Sequence, residues 1–449
     1  LHHSRTVPFC EADLSDVSPA SVVSSRDHGL VRGIGVLGLT ASVVNSVVGV
    51  SIFTMPAAVA LETGAAAPAA YLLCAIIMAG VVICFAEAGS RVPTSGGAYG
   101  TVEAAFGPAS GFVVGMLLVV SDLLASGGIA AAIADLAGLP GAGRVAVIGA
   151  IYLVLLWSNL VGVRTTARLI TGATVVKLLP LVLFLLIGLV SLGRVVPSGP
   201  AAAPVTLAGF DRGLILTLFA FEGMETALGA SGEIRDPNRT LPRALFLAML
   251  FVLALYVGVQ LTAQHLLGGG LAHSAAPLAE AAGQVSGAAR LVMLVGGGLS
   301  MLAWMASDVL GTSRMLFAMG RDGRLPGWLG DLHPRSRVPA KAVVAYVIAA
   351  FVLAVTGSFL ELVVLSSLAT VAIYCLACVA AVVLRRRGVA LAGTPMRSPG
   401  LLVAAGVGLV GMAGMIVAAR WQEVAGLMAV IAGSLVIFWV TERRGVSVS

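Results

Sequence analysis

Long apolar runs recur along this chain from residue 33 to residue 441, separated by short polar connections. Most are 18 residues or longer, the length at which a helix crosses the hydrocarbon core of a bilayer. Twelve can be delimited, at about 33–61, 66–90, 98–134, 145–162, 166–193, 212–232, 241–267, 285–319, 338–357, 360–384, 400–419 and 423–441. The runs are continuous rather than alternating, which argues against a β-barrel. Only 11% of residues are charged and 59% are hydrophobic, against a charged share of about 25% in soluble proteins. The expected fold class is therefore an all-α membrane protein with about twelve transmembrane helices.

The charges orient these spans. Twenty-one of the 27 Lys and Arg residues fall in the N-terminal tail, the connections after even-numbered spans, or the C-terminal tail. Arg144, Arg194, Arg212, Arg290 and Arg420 fall on the other side, and Lys177 falls within a span. This asymmetry places both termini in the cytoplasm and the chain, multi-pass, in the cytoplasmic membrane. It also accounts for the net charge of +6 without nucleic acid, for which no groove-reading motif is present. The first 32 residues read as a loosely ordered cytoplasmic tail without a cleavable signal. The longest polar connections, SGEIRDPNRTLPR and GRDGRLPGWLGDLHPRSRVPAK, are too short to form a soluble domain.

Enzyme chemistry has little to stand on. All six histidines lie in termini or near span ends, and no HExxH, Ser-His-Asp order or nucleotide loop occurs. Cys375 and Cys378 form CLAC on an expected membrane helix with no second ligand pair, so no metal and no organic cofactor is expected.

Two spans carry Gly and polar residues at mid-run: NSVVGVSIFTMP in the first and LFAFEGMETALGASGE in the sixth. Small residues serve helix packing in membranes. As a pair at matching places, about 170 residues apart, they also fit the interrupted helices that lead each half of a five-plus-five inverted-repeat transporter. Unwound backbone is tolerated at membrane depth only where it lines protein or a water-filled cavity. Its free N–H groups can bind a carboxylate and its free carbonyls an ammonium.

Four stretches resemble the amino acid–polyamine–organocation superfamily of transporters. GVSIFTMP (Gly49 to Pro56) is similar to the family's first-helix Gly-Ser-Gly-Ile-Phe region. VPTSGGAYGTVEAAFGPASGF (Val92 to Phe112) resembles the approach to helix 3. FAFEGMETALGASGEIRDPNRTLPRA (Phe219 to Ala244) resembles helix 6 and its loop, and SRMLFAMGRDGRLP (Ser313 to Pro326) the loop after helix 8. The resemblance implies a leucine-transporter-like fold. Residues 33–193 and 212–386 would be the two repeats, 400–441 helices 11 and 12 outside them, and 442–449 a cytoplasmic tail. It implies an amino acid permease, with the substrate carboxylate near the backbone N–H groups of Val50, Ser51 and Ile52, beside Gly49. The substrate amino group would meet the carbonyls of Val47, Phe219 and Glu222, beside Gly223, with Phe219 as an aromatic gate. Val50 and Ser51 depart from the family's usual Gly-Ser/Ala-Gly, and Ser51 adds a hydroxyl that can meet the carboxylate directly.

Lys177 lies nine residues past Arg168, about 13 Å along a helix, and so near the bilayer centre. A lysine there either snorkels to the interface or faces an interior cavity with a partner. A lysine held away from water can exchange its proton in the neutral range. The resemblance implies that Lys177 takes the place of the sodium ion of sodium-coupled relatives, ties helix 5 to helix 1, and makes protons the coupling ion. Glu225 stands at the family's acidic place on helix 6, where it implies a gating or structural role. Glu222 is either a partner for a cationic substrate side chain, a second proton site, or turned away from the pocket. Asp122 and Glu87 suggest only pairing within the membrane. Glu233, Arg235, Asp236, Arg239 and Arg243 could pair with Arg314, Arg321, Asp322 and Arg324, or serve topology alone. Proton symport thus stands beside exchange or facilitated diffusion, and beside a membrane sensor that binds without transport. The outer loop GLPGAGR has no cysteine, so no disulfide-linked partner subunit is expected.

Overall fold

A computed structural model describes residues 33–49, 51–93, 97–161, 163–191, 204–225, 234–333, 338–391 and 394–446, without the side chains of 161–176 and 444–446. Among these residues the regular structure is helical. The one strand-like contact described is an isolated bridge between Ile34 and Ile234. Eight helical stretches among them are long and apolar enough to cross a bilayer, and shorter apolar helices accompany them. The chain is an all-α, multi-pass membrane protein.

In chain order the helices are α1 (Val36–Val47), α2 (Ser51–Thr63), α3 (Ala67–Arg91), α4 (Gly97–Phe106), α5 (Pro108–Leu136), α6 (Ala142–Val161), α7 (Val163–Ser191) and α8 (Leu207–Phe221). They continue with α9 (Pro237–Leu267), α10 (Pro277–Gly283), α11 (Gly287–Arg321), α12 (Ala340–Thr356), α13 (Phe359–Arg386), α14 (Leu401–Ala418) and α15 (Trp421–Val446). Two expected spans are divided. The run 33–61 breaks after Val47, where Val48 takes ψ 82. The run 98–134 breaks at Gly107, whose φ of 95 only glycine adopts without strain; Pro108 then opens α5, where its missing N–H costs nothing. The sixth run leaves helical geometry at Glu222, with ψ 149, and residues 226–232 lie outside the described set.

The halves of the divided first span find different neighbours. α1 packs on α9 and α2 on α8, while α5 pairs with α13, α3 with α9 and α14, and α11 with α7. Small residues make the closest approaches, as expected where lipid gives no hydrophobic drive for helices to associate. Gly80 of α3 lies against the backbone of Ala404 and Gly408 in α14, and Gly127 and Gly128 of α5 lie against α12 and α13.

Charged pins hold the ends of this bundle. Glu87 is fully buried in α3 and pairs with Arg91 at 2.8 Å and Arg385 at 3.6 Å. Its Oε2, the oxygen that faces Arg385, also accepts the Ser398 N–H at 3.0 Å, which fastens the connection between α13 and α14. Toward the opposite end, Arg212 of α8 holds Glu423 of α15 through two bonds of 2.8 and 2.7 Å. Among the described residues no ion pair joins the Arg235–Arg243 segment to the Arg314–Arg324 segment. Arg321 pairs with its neighbour Asp322 and Arg324 lies over the Phe438 ring; Glu233 falls outside the described residues.

Removing one partner of a buried ion pair strands the other charge, at about 3–5 kcal/mol. Glu87→Ala should therefore lower the thermal unfolding midpoint of the purified protein sharply. The exposed pair Lys341–Asp331 should tolerate Asp331→Ala with little change.

Candidate functional site

The two interruptions meet. Gly223 follows α8 with φ 106, and a Cβ added to it would lie 3.1 Å from the Ser46 carbonyl carbon and 3.2 Å from the Val47 nitrogen. The backbone of one break is thus laid directly on the backbone of the other, and glycine is required both for its torsion and for the space. Gly49 is equally confined, because a Cβ there would lie 2.8 Å from the Trp304 indole.

Around this crossing opens a cavity of about 510 Å3, walled by α1, the start of α2, α5, α7, the end of α8, α11 and α13. The open backbone groups at its floor are met by side chains from distant parts of the chain. Lys177 of α7, 6% exposed, donates to the Asn45 carbonyl in the last turn of α1. Tyr256 of α9 donates to the Val47 carbonyl at 2.9 Å and its hydroxyl stands 3.4 Å from Ser51 Oγ. The Val47 carbonyl also takes the Gly49 N–H at 2.8 Å. Ser300 of α11 donates to the Gly49 carbonyl at 3.3 Å. The Glu225 carboxylate accepts the Gly223 N–H at 3.2 and 3.1 Å and the Tyr374 hydroxyl at 2.6 Å.

A cavity of this size, where the end of α8 meets the break between α1 and α2, has room for a small solute. Compared with known proteins, residues 34–440 match the model of the family described as amino acid permease. The chain belongs to the amino acid permease family. It is 25% identical to a branched-chain amino acid permease of Bacillus subtilis, over 97% of this chain and 98% of that one. It is 31% identical to an uncharacterized transporter of Mycobacterium tuberculosis, over 72% and 73%. A serine/threonine exchanger of Bacillus subtilis matches at 28%, over 71% and 75%. The permease belongs with membrane transporters of the amino acid–polyamine–organocation superfamily and not with enzymes.

Of the residues singled out in the sequence, Val47, Gly49, Ser51, Lys177, Phe219, Glu222, Gly223 and Glu225 all line the cavity. Ile52 is 1% exposed and packs into the core, so it can offer the cavity only its backbone. Val50 lies outside the described residues. Val47 offers its carbonyl to Gly49 and Tyr256, which occupies the position expected for a substrate ammonium. Glu222 has one carboxylate oxygen enclosed and without a hydrogen bond.

A carboxyl pair between α5 and α11 also lines the cavity, and the sequence had not pointed to it as part of a site. Asp122, carried by α5, accepts the Thr312 hydroxyl at 2.6 Å; the same hydroxyl stands 3.2 Å from Asp308 of α11. Tyr346 of α12 donates to the other Asp308 oxygen. The signal lay in the eighth apolar run: Trp304, Ser307, Asp308, Gly311, Thr312 and Met315 recur at three- and four-residue steps, which puts them on one helical face.

Gly223→Ala should cost about 1–3 kcal/mol from the torsion alone and displace α1 from the crossing. Reduced binding of substrate together with a lowered unfolding midpoint is expected. Gly298→Ala, where a Cβ would meet nothing, should change neither.

Proposed function

We propose that this permease is a secondary active transporter of amino acids in the cytoplasmic membrane, driven by proton symport. The observation that carries the coupling is the bond from Lys177 to the Asn45 carbonyl, which joins α7 to α1 two residues before α1 ends. A helix C-terminus leaves its last carbonyls without intrahelical partners and is a favourable place for a cation. A lysine there does what a bound sodium ion would do, with the difference that its charge comes and goes with a proton. The substrate carboxylate is assigned to the N–H groups that open α2, at Ser51 and Ile52, where a helix N-terminus favours an anion. The substrate ammonium is assigned to the carbonyl end of α8, near Phe219 and Glu222. On this reading the chain has twelve spans, with residues 33–193 and 212–386 as inverted repeats, 400–441 outside them, and both termini cytoplasmic; the eight long apolar helices and the shorter ones beside them support the multi-pass part of it.

Uptake of labelled amino acids into proteoliposomes containing the purified permease tests this reading. An inward proton gradient should drive accumulation in the wild type, and Lys177→Ala should lose the gradient-driven part. Equal accumulation by Lys177→Ala, with the same dependence on the gradient, would remove Lys177 from coupling. Uptake that needs internal amino acid and ignores the gradient would make the protein an exchanger.

A further inference from the structure

With their carboxyls ionised, the side chains lining the cavity would carry more negative than positive charge. Lys177 is the one lysine or arginine among the described lining residues, and its ammonium is already engaged by Asn45. Against it stand Asp122, Glu222, Glu225 and Asp308. Glu225 is satisfied by Tyr374 and the Gly223 N–H. The other three are short of positive partners. Thr312 has one hydroxyl hydrogen and two carboxyl neighbours, Asp122 and Asp308, so with both ionised one of these contacts lacks its donor. Glu222 Oε1 is separately enclosed and accepts no hydrogen bond. A substrate whose α-carboxylate and α-ammonium cancel leaves this deficit in place. A second positive charge on its side chain reduces it.

The spacing suits such a side chain. The Trp304 indole lies against Gly49 at the break, where the substrate backbone is assigned. Asp308 is one helical turn further along α11, about 5.4 Å, on the same cavity-facing side. That is the reach of an arginine or lysine side chain, and the indole between would face the passing cation.

Building on the amino acid permease reading above, we infer that Asp122 and Asp308, with Glu222 beside them, form the subsite for the distal guanidinium or ammonium group of a cationic amino acid. Asp122 and Asp308 are specificity-determining residues, and Thr312 and Tyr346 position their carboxyls.

The test is competition for labelled arginine on the purified full-length protein, using unlabelled arginine, citrulline and leucine. Citrulline has nearly the shape of arginine and lacks its charge. Arginine should bind at least about 30-fold more tightly than citrulline, the lower range for a desolvated charge pair. Asp122→Asn and Asp308→Asn should each bring that ratio close to one. The ratio does not depend on the fraction of folded protein, and the wild-type comparison stands even where a variant fails to fold. Citrulline or leucine binding as tightly as arginine would overturn the inference and leave the permease reading intact. Wild-type discrimination that both variants retain, with the pH dependence of binding lost, would make the pair a proton site and also overturn it. Binding of none of these amino acids would overturn the inference and leave the permease reading to be tested with other amino acids.

Discussion

A membrane helix that stops at mid-depth exposes backbone groups that no water is there to satisfy, and the rest of this structure is arranged around that constraint. The Asn45 carbonyl is met by Lys177, the Val47 carbonyl by Tyr256, the Gly49 carbonyl by Ser300 and the Gly223 N–H by Glu225. The first three donors come from α7, α9 and α11, so one short stretch of irregular backbone ties together helices far apart in sequence. Each bond satisfies a group that would otherwise cost about 1–3 kcal/mol. Each also depends on the position of the helix that carries the donor. A shift of α7 or α11 changes which backbone groups are covered, and so couples helix packing to the chemistry of the crossing.

Two glycines make the crossing geometrically feasible, for different reasons. Gly223 combines a positive φ with a backbone neighbour at 3.1 Å, so any side chain is excluded twice over. Gly49 has an ordinary requirement for space, set by a single flat ring, Trp304. The second restriction can relax if the indole turns, and the first cannot. The rigid part of the site is therefore the contact between the two breaks, and the adjustable part is the aromatic wall facing them.

The helical, multi-pass character was legible because its cause is local and repetitive: long apolar runs have one dominant physical reading. The break residues could be named from NSVVGVSIF and LFAFEGMET because interruption of an apolar run is visible in one dimension. Lys177 stood out for the same reason, since a lone charge among apolar residues has few uses. What the one-dimensional pattern hid was pairing across helices. Glu87 and Asp122 were visible as charges, but their partners Arg385, Ser398 and Thr312 lie about 190 to 310 residues away. Asp308 was passed over because it sits in a run whose apolar residues are numerous enough to read as a plain span. The division at Gly107 was missed for a related reason: Gly-Pro is a strong stop in water-soluble chains and a tolerated element in membrane helices.

The two sides of the cavity differ in how their charges are held, and this bears on how such a site could work. Lys177 and Glu225 are bound into the backbone of the breaks, so a change in either alters the fold of the crossing itself. Asp122 and Asp308 are held by the side chains of Thr312 and Tyr346, and their surroundings can change without unwinding or rewinding any helix. On the function and subsite proposed above, conformational coupling would belong with the first pair and selection among solutes with the second. One helix serves both sets, since α11 carries Ser300, which covers the Gly49 carbonyl, and Asp308, which shares the Thr312 hydroxyl, so a movement of α11 would bear on the break and on the carboxyl pair together.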